Sequence, residues 1–472
     1  MSSREQPSRL NFTNTRRRGG RLRPDYGNRF YFFGSRERGG GSAARPADNF
    51  PSEPDLKEGL DTTIIQTIST PAHPMVPEYF PIDNVKYVAS YNWTGAEEPT
   101  IVVPGSPAIW TGRAVPFTLQ PDEGYVWKNV QLPQYPMLPL FAAADAIHDQ
   151  EAAPPVDWPT VDFVTDHNDL RKLLRWLSPS PGREVQDFRI DVQLVGTKTL
   201  VLRRWEIRPY WDHANRSYGH AFAAAMTRAA PDCPSSRHHR VIAYNMLNTK
   251  MVVRFGIDAC LPSPGSSVAT TYFDDSNLAP CAHSSMNAEQ TSTSTTTTMS
   301  PAINIVRAGT QVPQDALVEV VSRSAYYLDR LDWNELYSQL ALSQTPTLRM
   351  GVHEGGEFKE LREWQLEGSG TRLGTSGQSE TQKGADIQDL SAQRRETAVQ
   401  IVRLERVLQD VQKVAIARGS GPAGSFSLVC EGGKLCVYAR KVDSDGDGTS
   451  PSGSCLPPDV AARFETQKHV IL

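Results

Sequence analysis

The chain has 472 residues and a formal net charge of −4, with 39% hydrophobic and 22% charged residues. That length allows one large domain with tails, or two to three ordinary ones, with a core large enough to need neither a metal nor a disulfide staple. No apolar run approaches the ~18–20 residues that cross a bilayer. The Arg-rich start has no signal-peptide stretch, and six cysteines without a CxxC spacing make neither a disulfide framework nor a zinc site. An intracellular protein, nuclear or cytoplasmic, is expected, with no membrane association.

Charge is concentrated at one end. Residues 1–45 hold eleven Arg, no Lys and three acids (Glu5, Asp25, Glu37), a surplus of about +8 that leaves about −12 for the remainder. Arg16, Arg17, Arg18, Arg21, Arg36 and Arg38 alternate with glycines and with Tyr26, Phe30, Tyr31, Phe32 and Phe33. Such a segment has too few aliphatic residues to fold. Its guanidinium groups neutralise phosphates and stack on bases, to which aromatic rings add further stacking. An RGG-like RNA-binding or nuclear-targeting tail is one reading; a solvated, disordered terminus with no specific partner is the other.

Residues 1–75 are expected to form this tail and a Pro-rich linker or surface arm, which continues to about residue 80. An extended segment starts near Tyr87, and Thr100–Val103 runs into the turn Pro104-Gly105-Ser106-Pro107. Residues 111–160 are rich in proline and show little periodicity. Asp166 is placed to cap a helix through Leu177, with Leu170, Leu173, Leu174 and Leu177 on one face. Alternation predicts a hairpin over 188–205, and a short Ala-rich helix follows at 217–230. A second hairpin joins Arg240–Ala243 to Met251–Cys260. The Ser/Thr tract at 283–301 reads as a disordered surface insertion.

Leu317–Val321 is a buried-type strand, and Ser324–Leu342 an amphipathic helix. A hairpin turns around Gly355-Gly356. Residues 366–388 read as a flexible linker. Ser391–Arg418 is a strong helix whose stripe Ile401, Leu404, Leu408, Val411 and Ala415 should face the core, and a last hairpin turns at Gly432-Gly433. The predicted class is α+β (mixed α/β), a central mixed sheet built from hairpins and flanked by helices. It comprises a core at 76–365, and a C-terminal helix and hairpin at 389–472 that pack on it.

Three motifs are weak. Asp443-Ser444-Asp445-Gly446-Asp447-Gly448 begins like a calcium loop but has Ser454 at its twelfth position. His238-His239 has no ligand partner nearby in sequence, and Asp274-Asp275 lacks a further aspartate. A stronger pattern emerges if the central strands are read as a metal-nuclease core, which sets acids two residues apart on one strand face to reach a common ion. Asp258 then shares a face with position 256, and Glu319 with position 321. Gln339 follows on the next helix, where it could hold a phosphate or a water.

This order resembles the DXO-type RNA 5′-end decapping nucleases of the PD-(D/E)xK superfamily. The matching pieces are Arg171-Lys172-Leu173-Leu174-Arg175, Arg203-Arg204-Trp205-Glu206, Gly219-His220-Ala221-Phe222, Gly256-Ile257-Asp258, Val318-Glu319-Val320, and Gln339 before Met350-Gly351. Over most of its length the chain is also similar to fungal proteins with an RGG-type tail and the segments Ser90-Tyr91-Asn92-Trp93 and Pro104-Gly105-Ser106-Pro107. These are often labelled geranylgeranyl pyrophosphate synthetase, a chemistry for which this chain lacks the two Asp-rich motifs.

The nuclease resemblance implies a remnant site of Asp258, Glu319 and Gln339, with Arg171 beside it as an RNA contact. The family's Gly-aromatic-x-Phe-Glu motif ends here in Ala223, its Glu-x-Asp motif begins with Gly256, and its Glu-x-Lys motif ends in Val321. Asp258 and Glu319 could hold one Mg²⁺ or Mn²⁺ weakly, through retained waters. Read structurally, they are strand-end acids paired with Arg254 or Arg323. Three functions stay open: a degenerate nuclease fold that binds RNA, an active nuclease with relocated ligands such as Glu206 or Asp212, and an unrelated scaffold protein.

Overall fold

Short β-branched runs bounded by glycine turns dominate this sequence, and they form strands. The computed structural model describes residues 55–96, 98–122, 125–127, 135–150, 154–179, 184–205, 210–212, 217–233, 237–262, 303–367, 390–421, 424–441 and 454–465. In chain order the strands are β1 (Leu60–Ile68), β2 (Ile82–Trp93), β3 (Thr100–Pro104), β4 (Ile109–Trp110), β5 (Phe117–Thr118), β6 (Tyr125–Trp127), β7 (Phe163–Asp166), β8 (Phe188–Val195), β9 (Thr199–Arg204) and β10 (Tyr210–Asp212). They continue with β11 (Thr227–Arg228), β12 (Arg237–Met246), β13 (Thr249–Ile257), β14 (Ala259–Cys260), β15 (Asn304–Ala308), β16 (Leu317–Ser324), β17 (Thr347–Glu354), β18 (Glu357–Gln365), β19 (Ser425–Glu431) and β20 (Lys434–Arg440). The α-helices are α1 (Leu138–His148), α2 (His167–Leu177), α3 (Gly219–Met226), α4 (Trp333–Ser343), α5 (Ser391–Arg418) and α6 (Pro458–Ala461).

The fold is mixed α+β. Eleven strands form one sheet in the order β1-β20-β19-β8-β9-β7-β13-β12-β2-β3-β15, and seven form another in the order β11-β4-β14-β16-β17-β18-β5. Most neighbours are antiparallel, as hairpins dictate. In the large sheet β7 runs parallel to β9 and β13, and β15 to β3; in the small sheet β16 runs parallel to β17. The β19–β20 hairpin turns through Gly432 and Gly433 at φ 55° and 79°, the positive pair that a tight two-residue connection requires.

Helices cover both faces of the large sheet. On one side Ile401, Leu404, Leu408, Val411 and Ala415 of α5 are fully buried beside Leu170, Leu173, Leu174 and Leu177 of α2. On the other, Leu138, Leu140 and Phe141 of α1 pack with Val164, Val201, Val241 and Val252, and residues 455–464 close that layer. The small sheet carries α3 on one face and α4 on the other.

Four sequence expectations change. Residues 60–68, read as part of a linker, form β1, whose exposed middle residues leave little apolar alternation. The stretch 111–160 contains α1, which is buried almost all round and so lacks an amphipathic period. The helix read over 324–342 splits into a 3-10 turn (Ala325–Arg330) and α4, because Asp332 caps a new start by accepting from Glu335 N at 3.0 Å. Of the 366–388 linker, Leu366 packs on the core and Glu367 pairs with Arg394, while residues 368–388 lie outside the described residues.

Also outside lie the tail with Arg16, Arg17, Arg18, Arg21, Arg36 and Arg38, the 283–301 tract, Glu206, Asp274-Asp275, the side chain of Asp212 and most of the 443–454 loop. Among the described residues no helix is long and apolar enough to cross a membrane.

Candidate functional site

The chain crosses from the large sheet to the small one at Asp258. Strand β13 ends at Ile257 in the first, and β14 begins at Ala259 in the second. Ala259 stands opposite Val318, so Asp258 is one step further along, toward Glu319. Its Oδ2 accepts a hydrogen bond from Val320 N at 3.0 Å. The carboxylate thus ties the end of β13 to the backbone of β16.

Alternation along β16 sorts its side chains. Val318 and Val320 turn toward α3 and pack with Phe222, Ala223, Ala259 and Phe358. Glu319 and Val321 turn the other way, toward α4. Glu319 is buried, and Gln339 Nε2 of α4 donates to its Oε1 at 2.6 Å. Glu335 lies one turn before Gln339, on the same helix face. Its Oε1 accepts from Arg171 Nη2 at 3.0 Å and Arg175 Nη1 at 3.2 Å. Helix α4 therefore engages both Glu319 and Arg171. Burial, reinforced by Arg171 and opposed by Glu335, holds Arg175 below its usual range.

The positions that depart from the nuclease pattern are built into packing. Ala223 is buried on α3, whose first turn is held by Asp122, accepting from His220 N at 3.1 Å and Ala221 N at 2.8 Å. Phe222 lies against Gly351, where a Cβ would come within 2.3 Å of the ring. Two pieces of the motif pattern, around Phe222 and around Gly351, thus meet in space. Val321 is 4% exposed and packs with Leu336, Leu340 and Met350.

These residues do not fit a resident divalent cation. One acid is bonded to a backbone N–H, the other to an amide, and the third side chain is an apolar valine. Among the described residues no group of three or more His, Cys, Asp or Glu converges to hold a metal. The weak Mg²⁺ or Mn²⁺ site expected from Asp258 and Glu319 therefore has no third His, Cys, Asp or Glu beside it among the described residues.

The expected pairing of Arg254 with the site acids is replaced by another. Arg254 donates to Asp166 from Nε at 2.6 Å and Nη2 at 2.9 Å, and to Pro136 O from Nη1 at 2.8 Å. Asp166, expected to cap α2, makes no side-chain cap bond, because its carboxylate is turned to Arg254. Burial alone would raise Asp166, but the Arg254 guanidinium outweighs it and holds the carboxyl below its usual range. His238 Nδ1 meets Asn92 Oδ1 at 2.7 Å, and burial together with Arg240 pushes its pKa down to about 3, so the ring is neutral. His239 stacks on Tyr91 at 5.0 Å. The Ser90–Trp93 and Pro104–Pro107 segments interlock: Ser90 Oγ donates to Pro104 O and Asn92 Nδ2 to Ser106 O, each at 2.9 Å.

Sequence reasoning missed Glu335 and Asp166. Glu335 was visible four residues before Gln339, the helical spacing that shares a face. Asp166 was singled out only as a cap.

The model of the family described as Domain of unknown function (DUF8563) matches residues 63–400, and the chain belongs to that family. No curated protein matches the sequence. Among solved structures the chain is similar to Candida albicans Rai1 in complex with pU5-Mn²⁺, at 8% identity, covering 84% of this chain and 99% of that one, with a TM-score of 0.47. S. pombe Rai1 in complex with 3′-FADP stands at 14% identity, 79% and 96% coverage and a TM-score of 0.45. K. lactis Dxo1 in complex with manganese stands at 9%, 80% and 97%, with a TM-score of 0.46.

Proposed function

We propose that this chain is a catalytically degenerate DXO-like fold that acts as an RNA-binding protein. One observation carries the loss of catalysis. On the face of β16 where the nuclease pattern needs an acid and a lysine, Glu319 accepts a hydrogen bond from Gln339 and Val321 is sealed among leucines and a methionine. No side chain at position 321 can polarise a water. RNA binding is assigned to Arg16, Arg17, Arg18, Arg21, Arg36 and Arg38 of the tail, which supply phosphate neutralisation and stacking.

The test is filter binding of single-stranded RNA at two salt concentrations, with and without residues 1–45. Salt-dependent affinity that collapses on removal of the tail is expected. An affinity absent at both salts, or unchanged by the deletion, overturns the binding. Mg²⁺- or Mn²⁺-dependent release of 5′ products from uncapped RNA that disappears in the Asp258→Ala, Glu319→Ala double variant overturns the loss of catalysis.

A further inference from the structure

The 3-10 turn that follows β16 leaves two aromatic rings in solvent. Ala325 and Leu328 are three residues apart, so in a 3-10 turn they share a face, and both pack against the cluster around Val321 and Leu336. The intervening Tyr326 and Tyr327 are turned outward, 75% and 50% exposed. Single exposed apolar side chains are ordinary; this is a contacting pair, with ring centroids 4.9 Å apart and planes at 87°. The Arg330 guanidinium lies 6.0 Å from the Tyr327 ring. Arg323 precedes the pair on β16 and is partly exposed. The turn begins at Ala325, six residues beyond Glu319, about 20 Å along an extended strand.

We infer that Tyr326 and Tyr327 form a stacking platform for the bases of single-stranded RNA, with Arg330 contacting the adjoining phosphate. The inference rests on the RNA-binding reading above and adds a second contact region, on the folded part of the chain. The chemistry favours a nucleic acid over a protein partner. The rings present exposed aromatic surface, and the Arg330 guanidinium at their margin complements a phosphate rather than an apolar peptide. Each base offers a π-face, so the platform is tolerant of sequence.

The experiment uses the full chain and a fluorescently labelled single-stranded oligoribonucleotide, with anisotropy read over a salt series. The Tyr326→Ala, Tyr327→Ala double variant should bind at least about five-fold more weakly at every salt concentration. Its salt slope should match that of the parent, because stacking releases no counterions. The Tyr326→Phe, Tyr327→Phe variant should retain parental affinity. An oligomer with abasic positions should bind the parent and the alanine variant equally. The rings are exposed, so melting temperatures should agree among all three proteins.

A parent without RNA affinity defeats the RNA-binding reading and this inference together. A parent that binds while the alanine variant binds equally well overturns this inference alone and leaves the tyrosines to a protein partner. A variant that loses affinity for normal and abasic oligomers alike also overturns it.

Discussion

Replacing Val321 by lysine supplies the residue expected there from the nuclease resemblance and places it in a buried, apolar position. Val321 is 4% exposed, among Leu336, Leu340 and Met350. Losing the burial of the valine costs about 2 kcal/mol. The ammonium must then either stay charged in apolar surroundings or shed its proton, and each unit by which its pKa falls costs about 1.4 kcal/mol. Glu319, two residues back on the same strand face, is already bonded to Gln339. The variant should therefore be destabilised by about 3–5 kcal/mol at neutral pH.

The pH dependence follows from linkage. A lysine pKa lowered in the folded state means that the unfolded chain binds more protons up to about pH 10, so the stability of Val321→Lys rises with pH across that window and its deficit shrinks. The Val321→Ala control loses about 2 kcal/mol independently of pH. Urea unfolding at pH 7 and pH 9 reads all three proteins. A lysine variant within about 1 kcal/mol of the parent at pH 7 would show the position to be open rather than sealed. So would the appearance of metal-dependent RNA cleavage, and the account of a closed site would be withdrawn.

Three more outcomes are expected. Asp166→Asn should destabilise the protein by about 3–5 kcal/mol in chemical unfolding, since it leaves the buried Arg254 without its carboxylate; because the folded pKa of Asp166 is depressed, its contribution is present above about pH 4 and lost as pH falls further. Burial holds His167 and His238 at pKa values of about 3, so stability should fall as pH drops from about 6.5, by up to about 1.4 kcal/mol per pH unit for each ring; urea midpoints at pH 7 and pH 5 that coincide would contradict their neutrality. Gly309→Ala should cost about 2–4 kcal/mol by urea denaturation, because its φ is 85° and its Cβ would lie 2.4 Å from the Gly105 carbonyl carbon; an unchanged midpoint would mean that the loop yields freely.

Local pattern was enough for much of the secondary structure. The α5 stripe, the α2 face and the hairpins read at 188–205, 347–361 and 426–438 are written in spacings of three and four, or of two, with glycines at the turns. Elements without such spacing went unread: α1 because it is buried almost all round, and β1 because its middle faces solvent. For the site, alternation on β16 already set Glu319 and position 321 on one face, and helical spacing put Gln339 within reach of the next layer. Which partner each group takes depends on residues far apart in the chain and brought together only by packing. Asp258 turns to Val320 N because β14 starts in a different sheet. Arg171 meets Glu335, 164 positions away, because α2 and α4 share a layer. Val321 is sealed because α4 lies over it. Periodicity is a property of neighbours in sequence; pairing and burial are decided only when the sheets and helices close on one another.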